Sequence, residues 1–127
     1  MLVWKNQNPW TALRGFFYDY YLDYAGGFFG YKHGAAPVHI QLNLNDSAVC
    51  VINQTTGDLN NITAVIRLYD LHGKLLTEKN NTITLKTQEV ILLDKITLPE
   101  SNNEVFFLKL ELRDQNRVLD ENIYWLT

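Results

Sequence analysis

The sequence predicts a mainly β protein, an immunoglobulin-like antiparallel β-sandwich of about seven strands preceded by an aromatic-rich helical segment. Three observations support this. From Val38 onward, apolar residues recur at every second position, which is the period of a half-buried strand. Turn-forming residues interrupt that pattern at short intervals. Before Pro37, apolar and aromatic residues recur instead at three- and four-residue spacing, which is typical of a helix.

The first 36 residues differ in composition from the rest, since eleven of the sixteen aromatic residues fall within the first 31 positions. Thr11 can cap a helix. Gly26 and Gly27 are expected to end or break that helix, and the run FFGYKHGAA predicts a short second helix before Gly34 and Pro37. The broad apolar face of the first helix would carry Leu13, Phe16, Phe17, Tyr20, Tyr21 and Tyr24.

Strands are predicted from Val38 to the end of the chain. The first is the clearest, because Val38, Ile40, Leu42 and Leu44 alternate with polar residues. Turn chemistry separates each strand from the next. The seven strands are expected near residues 38–44, 47–53, 62–70, 74–84, 88–96, 104–113 and 117–126.

Two stretches, LYDLHGKLL and LRDQNRVLD, share one pattern. Each has an apolar strand, an Asp that opens a turn, a Gly or Asn where a positive φ is expected, a basic residue and a second strand. Both therefore predict β-hairpins. In the strand before the second turn, the even-numbered residues from Phe106 to Leu112 should face the core, and the odd-numbered residues from Phe107 to Arg113 the wetter side.

Composition excludes several classes of function. A chain of 127 residues has the length of one domain. Its net charge is −3 and its basic residues are not clustered, so we expect no nucleic-acid partner. Its apolar runs fall short of the roughly 20 residues of a membrane helix, and the N-terminus has no export signal, so we expect no membrane partner. We also expect no cofactor. The single cysteine, Cys50, is predicted to be a buried hydrophobe and leaves cytosol and periplasm both open.

No metal site is predicted. His33, His39 and His72 are expected at a helix end, on the outward face of a strand and in a hairpin turn. None of them has a Cys, His or carboxylate partner at a spacing that metal ligands use.

No catalytic carboxylate pair is predicted either. Asp19 and Asp23 stand one helical turn apart and are expected to share a solvated helix face, which does not set two carboxylates across a glycosidic bond. The other candidate acids are expected in hairpin turns or on exposed strand faces: Asp70, Glu111, Asp114 and Asp120.

The opening run WKNQNPW is the clearest candidate for a binding site. Trp4 and Trp10 bracket amide side chains that include Asn6 and Gln7. A tryptophan ring can cover the C–H face of a sugar, and amides can bond its hydroxyl groups, but such rings also serve as core anchors. The residues alone leave both roles open.

A resemblance decides between them. The stretch WKNQNPWTALRGFFYDYYLDYAGGFFGYKHGAAPVHIQLNL resembles the end of the catalytic barrel and the start of the following sandwich domain in glycoside hydrolase family 2. YDLHGKLL, LKLELRD and NIYWLT are similar to that family's immunoglobulin-like domain. The likeness covers nearly the whole chain. It is greatest to the branch of mannosylglycoprotein endo-β-mannosidases and exo-β-glucosaminidases, and Thr11 after Trp10 favours the endo-β-mannosidase type.

The resemblance implies that residues 1–36 are the last strand, loop and helix of a catalytic α/β barrel and that residues 37–127 are the sandwich. Trp4, Asn6, Gln7 and Trp10 would then contact the carbohydrate substrate in the parent enzyme only. In the family, both catalytic glutamates come from earlier barrel strands, so this chain alone is expected not to hydrolyse glycosides. The resemblance implies an accessory role, bracing the upstream barrel of the same polypeptide.

The resemblance has further consequences. Because a barrel cannot close without its other strands, we expect a longer polypeptide before Met1. We expect that parent to be periplasmic or secreted. Without the barrel, the aromatic segment 10–31 loses its cover and should fold back on the sandwich, form a homodimer or lose order. Two alternative functions are a free-standing carbohydrate-binding module that uses Trp4 and Trp10, and an adhesion-type domain that binds a protein.

Overall fold

The computed structural model describes residues 17–99 and 104–127. The chain divides into two compact units, Met1–Ala36 and Pro37–Thr127. The described part of the first unit contains helix α1 (Gly26–Gly34), and no described helix has the length and apolar character needed to cross a membrane. The second unit contains seven strands: β1 (Val38–Leu42), β2 (Ala48–Asn53), β3 (Leu59–Tyr69), β4 (Leu75–Leu85), β5 (Glu89–Lys95), β6 (Phe106–Asp114) and β7 (Arg117–Leu126).

The aromatic segment before α1 is a turn rather than a helix. Tyr18 and Tyr24 form an antiparallel bridge, and Leu22 between them has a φ of 67°. Oδ1 of Asp19 accepts hydrogen bonds from the backbone N–H groups of Tyr21 and Asp23, at 2.8 and 2.9 Å. This carboxylate competes with helical backbone bonding, as short polar side chains do.

The predicted helix is therefore wrong over residues 17–24, and Asp19 and Asp23 do not share a helix face. Gly26 and Gly27 begin α1 instead of ending a helix. The predicted second helix is confirmed as α1, although it begins earlier than expected. Thr11, Leu13 and Phe16 lie outside the described residues.

Aromatic contacts hold the described part of the first unit together. The ring of Phe28, on α1, lies 4.5 Å from that of Tyr24, 5.8 Å from that of Tyr18 and 6.3 Å from that of Phe17, between centroids. Tilted and edge-to-face aromatic pairs of this kind stabilise by about 0.5–1.5 kcal/mol each beyond area burial. The turn and the helix thus share one small aromatic cluster.

The strands form two antiparallel sheets, one in the order β1-β2-β5 and the other β4-β3-β6-β7. This confirms the mainly β sandwich, with strand ends within three residues of those expected. The even-numbered residues of β6 face the core as predicted, and Leu108, Leu110 and Leu112 are fully buried. Cys50 is buried as predicted, and that burial, with the nearby charge of Asp46, raises the pKa of its thiol. Other members of the core are Ile40, Leu42, Val49, Val51, Ile62, Ala64, Ile66, Leu68, Leu85 and Phe106.

Both predicted hairpins are present, β3–β4 and β6–β7. In the first, Oδ1 of Asp70 accepts hydrogen bonds from the backbone N–H groups of His72 and Lys74, and Gly73 has the expected positive φ of 79°. In the second, the positive φ of 52° lies at Gln115 rather than at the expected Asn. There the position in the turn, and not the residue type that tolerates this conformation, decides which residue adopts it.

Side chains of β7 close the sandwich at the free edge of β1. The N–H of Ile40 donates to Oδ2 of Asp120 at 2.9 Å, and the N–H of Leu42 donates to the hydroxyl of Tyr124 at 3.1 Å. Nδ2 of Asn122 donates to the carbonyl of Ile40 at 2.7 Å. Because alternate residues of a strand share a face, all three side chains point toward β1. We call Asp120, Asn122 and Tyr124 the β1–β7 latch.

The latch overturns two sequence predictions. Asp120, expected in an exposed turn or strand face, is buried, and so is His39, expected on an outward strand face. Nδ1 of His39 lies 2.8 Å from Oδ2 of Asp120, within ion-pair distance when the imidazole is protonated. The period of a strand assigns a residue to a face, but it does not show which other strand meets its edge.

Candidate functional site

The site predicted from the sequence lies outside the described residues. Trp4, Asn6, Gln7 and Trp10 all precede residue 17, so their role toward a sugar stays a prediction. The described residues offer a different candidate, which is the outer face of the four-stranded sheet.

The histidines and acids of the described residues form no metal centre. His33 lies in the last turn of α1 and His72 in the β3–β4 turn, as expected. Within residues 17–99 and 104–127, no three His, Cys, Asp or Glu side chains are grouped so that they could hold an ion.

A buried carboxylate, Glu111 on β6, lies within the outer face of the four-stranded sheet. Its Oε2 accepts hydrogen bonds from Nη1 of Arg67 at 2.8 Å and from Nη2 of Arg113 at 2.6 Å. Its Oε1 lies 2.8 Å from Nζ of Lys109. The side chain of Glu111 is 5% exposed, so the prediction of an exposed acid is wrong. Cross-strand pairing, which the sequence does not reveal, brings Arg67 of β3 to it.

The charges around Glu111 decide its protonation. Burial alone would raise the pKa of Glu111, but hydrogen bonds and charges from Lys109 and Arg113 outweigh it and hold the pKa below its ordinary value of 4.5. In return, the hydrogen bond to Glu111 raises the pKa of Lys109. Both carboxylate oxygens are thus engaged by cations. Glu111 is a structural anion and not a free proton donor.

We expect Glu111→Gln to lower the free energy of unfolding at pH 7 by about 2–3 kcal/mol, because it leaves three cations without their shared anion. Since the folded-state pKa of Glu111 is lowered, its stabilisation is complete above pH 4.5 and is lost as pH falls through the lower folded value. The difference between the variant and the native chain should therefore shrink at acid pH. Urea denaturation at pH 7 and pH 3 would measure it.

The matched control is Glu78→Gln, which removes a carboxylate bonded to Arg67 at the exposed rim of the same sheet. It should cost clearly less than Glu111→Gln at pH 7, because exposed ion pairs contribute little. Equal losses for Glu111→Gln at the two pH values would contradict the role given to its charge.

An aromatic row crosses the same outer face. Tyr69 of β3 pairs with Phe107 of β6, and Phe107 pairs with Trp125 of β7. Paired residues of antiparallel strands point to the same side, and adjacent strands are about 4.8 Å apart, so the row spans roughly 10 Å. Trp125 is 79% exposed, and Ile123 beside it is 62% exposed. We call Tyr69, Phe107, Ile123 and Trp125 the outer-face patch.

Sequence reasoning missed this patch, although a signal was present. The period of two places Phe107 on the wetter side of β6, and in NIYWLT it sets Ile123 and Trp125 on the side opposite Tyr124. Large apolar side chains on the wetter side of a strand mark a candidate contact surface. The convergence of the three aromatic rings depends on register, which only the structure shows.

The family model that matches residues 45–127 is described as "Mannosidase Ig/CBM-like domain". A mannosylglycoprotein endo-β-mannosidase from Lilium longiflorum is 37% identical over 131 residues, covering 99% of this chain and 14% of the relative. An exo-β-D-glucosaminidase from Amycolatopsis orientalis is 32% identical over 133 residues, covering 100% of this chain and 13% of the relative. The chain therefore spans only about 14% of the length of the curated relatives it matches.

Solved structures of glycosidases contain a domain with the same fold. The crystal structure of Amycolatopsis orientalis exo-chitosanase CsxA matches with a TM-score of 0.84 at 27% identity, over 95% of this chain and 15% of that protein. A β-glucuronidase from glycoside hydrolase family 2 matches with a TM-score of 0.52 at 13% identity, over 72% of this chain and 11% of that protein, which shows the fold alone. Both matches cover a small part of a much longer protein.

Proposed function

This chain belongs to the mannosidase Ig/CBM-like domain family of family 2 glycoside hydrolases, and we propose that it is a non-catalytic accessory domain that braces the catalytic barrel of a longer glycosidase. Membership confirms the resemblance found in the sequence.

One observation carries the accessory role. The relatives match over 99–100% of this chain but over only 13–14% of their own length. A sandwich that forms so small a part of each relative is best explained as one module among several. The proposed partner is thus the catalytic barrel in the same polypeptide, and residues 1–36 are proposed to be its last strand, loop and helix.

The relatives' activities support a parent that hydrolyses β-mannosides or β-glucosaminides, since one is an endo-β-mannosidase and another an exo-β-D-glucosaminidase. In that parent, Trp4, Asn6, Gln7 and Trp10 would contact the sugar. Retaining and inverting glycosidases need two carboxylates on opposite sides of the bond. Glu111 cannot serve as one of them, because its oxygens are held by Arg67, Lys109 and Arg113.

We expect the purified chain to show no turnover of an aryl β-mannoside or an aryl β-glucosaminide, and the parent enzyme to hydrolyse one of them. Release of the aryl chromophore measures both. The parent prepared without residues 37–127 should lose thermal stability, because the brace is gone. Turnover by the isolated chain, or an unchanged melting temperature of the shortened parent, would contradict the proposal.

A carbohydrate-binding module remains the second candidate, supported by the CBM-like description of the family. In that case calorimetry with manno- and chito-oligosaccharides would detect binding at millimolar affinity or tighter. Trp4→Ala should abolish it, while Trp125→Ala would serve as the control at a ring remote from the proposed sugar contacts in sequence. Absence of binding by the native chain would exclude the carbohydrate-binding module.

A further inference from the structure

The outer-face patch consists of large apolar side chains that lie side by side on neighbouring strands, and two of them are largely exposed. Trp125 and Ile123 are the exposed end of a surface that continues through Phe107 and Tyr69, which are half-buried. Trp125 also lines a cleft of about 300 Å³ together with Leu44, Leu98 and Leu126. Because Leu98 and Leu126 pack against the core, this cleft is not part of the outer-face patch. Contiguous apolar surface like that of the patch, beside charged groups, marks an interaction site.

The charged groups beside the patch favour a protein partner over a sugar. Nε of Arg67 donates a hydrogen bond to Oε2 of Glu78 at 2.9 Å, and Nζ of Lys109 lies 3.4 Å from Oε2 of Glu121. These donors and acceptors are already paired with one another, so few are free to bond the hydroxyl groups of a sugar. An apolar centre with a charged rim is the usual anatomy of a protein interface, and Trp, Tyr and Arg are its common anchors.

The size of the patch indicates whether the protein partner is a separate molecule or part of the same polypeptide. An aromatic side chain buries about 150–250 Å² when it is fully covered, but Tyr69 and Phe107 are already half-buried, so the patch offers roughly 500 Å². A stable complex of separate proteins buries about 800 Å² per partner. A smaller patch suffices when the partner is covalently linked, because linkage raises its effective concentration to the millimolar range. The relatives, about seven times longer than this chain, supply such a linked partner.

We infer that the outer-face patch, with Trp125 as its anchor, is the surface through which this domain docks onto the rest of its parent polypeptide. The inference rests on the proposed accessory role and adds the face that performs it. The surface that receives Trp125 should have an apolar pocket.

The test compares the reactivity of single cysteines in the isolated chain and in the full-length parent. Ile123→Cys reports on the patch, and Val90→Cys on β5 is the matched control, since Val90 is 59% exposed and Ile123 62%. Maleimide labelling is followed peptide by peptide by mass spectrometry. We expect the rate at position 123 to fall at least tenfold in the parent relative to the isolated chain, and the rate at position 90 to change less than threefold.

Equal rates at position 123 in the two proteins would overturn the docking face and leave the accessory role standing, because that role is tested separately by removing residues 37–127. Two further arms use the isolated chain. Protection of position 123 that grows with protein concentration would show a second copy as occupant, and protection by manno- or chito-oligosaccharides would show a sugar; either result overturns the proposal.

A second variant separates docking from folding. Trp125→Ala should shift the melting temperature of the isolated chain by no more than about 4 °C, since the ring is largely exposed. In the parent it should restore at least half of the labelling rate lost at position 123. A parent in which Trp125→Ala leaves position 123 protected would refute the anchoring role of this ring.

Discussion

Replacing Asp120 with alanine is expected to lower the free energy of unfolding of the chain by about 3–4 kcal/mol, the largest effect we foresee for one substitution. The carboxylate accepts the hydrogen bond from the N–H of Ile40 and lies 2.8 Å from Nδ1 of His39. His39 and Asp120 are both buried, so water cannot replace the lost acceptor without opening the sandwich. Urea denaturation at pH 7, followed by circular dichroism, measures the loss.

Two variants divide that loss into its parts. Asp120→Asn keeps an acceptor for the N–H of Ile40 but removes the negative charge near His39, so it should cost about half as much. Tyr124→Phe removes only the acceptor for the N–H of Leu42 and should cost about 1 kcal/mol. A native-like stability of Asp120→Ala, within 1 kcal/mol, would show that the latch does not hold the two sheets together.

The latch also protects an edge of the sheet. β1 pairs with β2 on one side, and its other side presents N–H and C=O groups that could pair with another chain. Backbone groups of that edge form hydrogen bonds with side chains of β7 instead of with another strand. These side chains are Asp120, Asn122 and Tyr124. We therefore expect Asp120→Ala to aggregate more readily than Tyr124→Phe at equal concentration, which light scattering during storage would detect.

Replacing Asn53 with alanine is expected to cost about 3 kcal/mol, the second largest effect. Its side chain is fully buried at the end of β2. Nδ2 donates to the carbonyls of Gly57 and Lys86, both at 2.9 Å. Oδ1 accepts hydrogen bonds from the backbone N–H of Thr55 at 3.0 Å and from its hydroxyl at 2.7 Å. One amide therefore joins the β2–β3 connection to the end of β4, and alanine would remove all four of these hydrogen bonds.

Aspartate at the same position provides the control. Asn53→Asp preserves the shape of the side chain and the hydrogen bonds from Thr55. It replaces the donor Nδ2 with a carboxylate oxygen, which is repelled by the carbonyl oxygens of Gly57 and Lys86. It should destabilise at least as much as alanine at pH 7 and less at pH 3, where the acid can be protonated and donate. Thr55→Val removes the hydroxyl that bonds Oδ1 of Asn53 and the carbonyl of Gly57 but keeps the other three bonds of the amide, so it should cost about 1 kcal/mol. Similar stabilities of Asn53→Ala and Thr55→Val would refute the organising role of the amide.

Most of the fold could be predicted because its signals are local. The alternation of apolar and polar residues shows where strands run, and in β6 it correctly selects Leu108, Leu110 and Leu112 as core residues. Turn chemistry at Asp70 and Gly73 places a hairpin without knowledge of any other strand. The local signal failed before α1, where helical spacing of aromatic residues was overruled by the side chain of Asp19.

The candidate site was far less predictable, for a physical reason. The sequence by itself determined seven strands, two hairpins, a buried Cys50 and membership of the glycosidase family. Only the tertiary structure decided that Glu111 and Asp120 are buried and that Tyr69, Phe107 and Trp125 form one row. A strand's own period specifies which face a side chain occupies, whereas its partners come from strands distant in sequence. The cost of burying a charge, or of exposing an aromatic ring, depends on those partners.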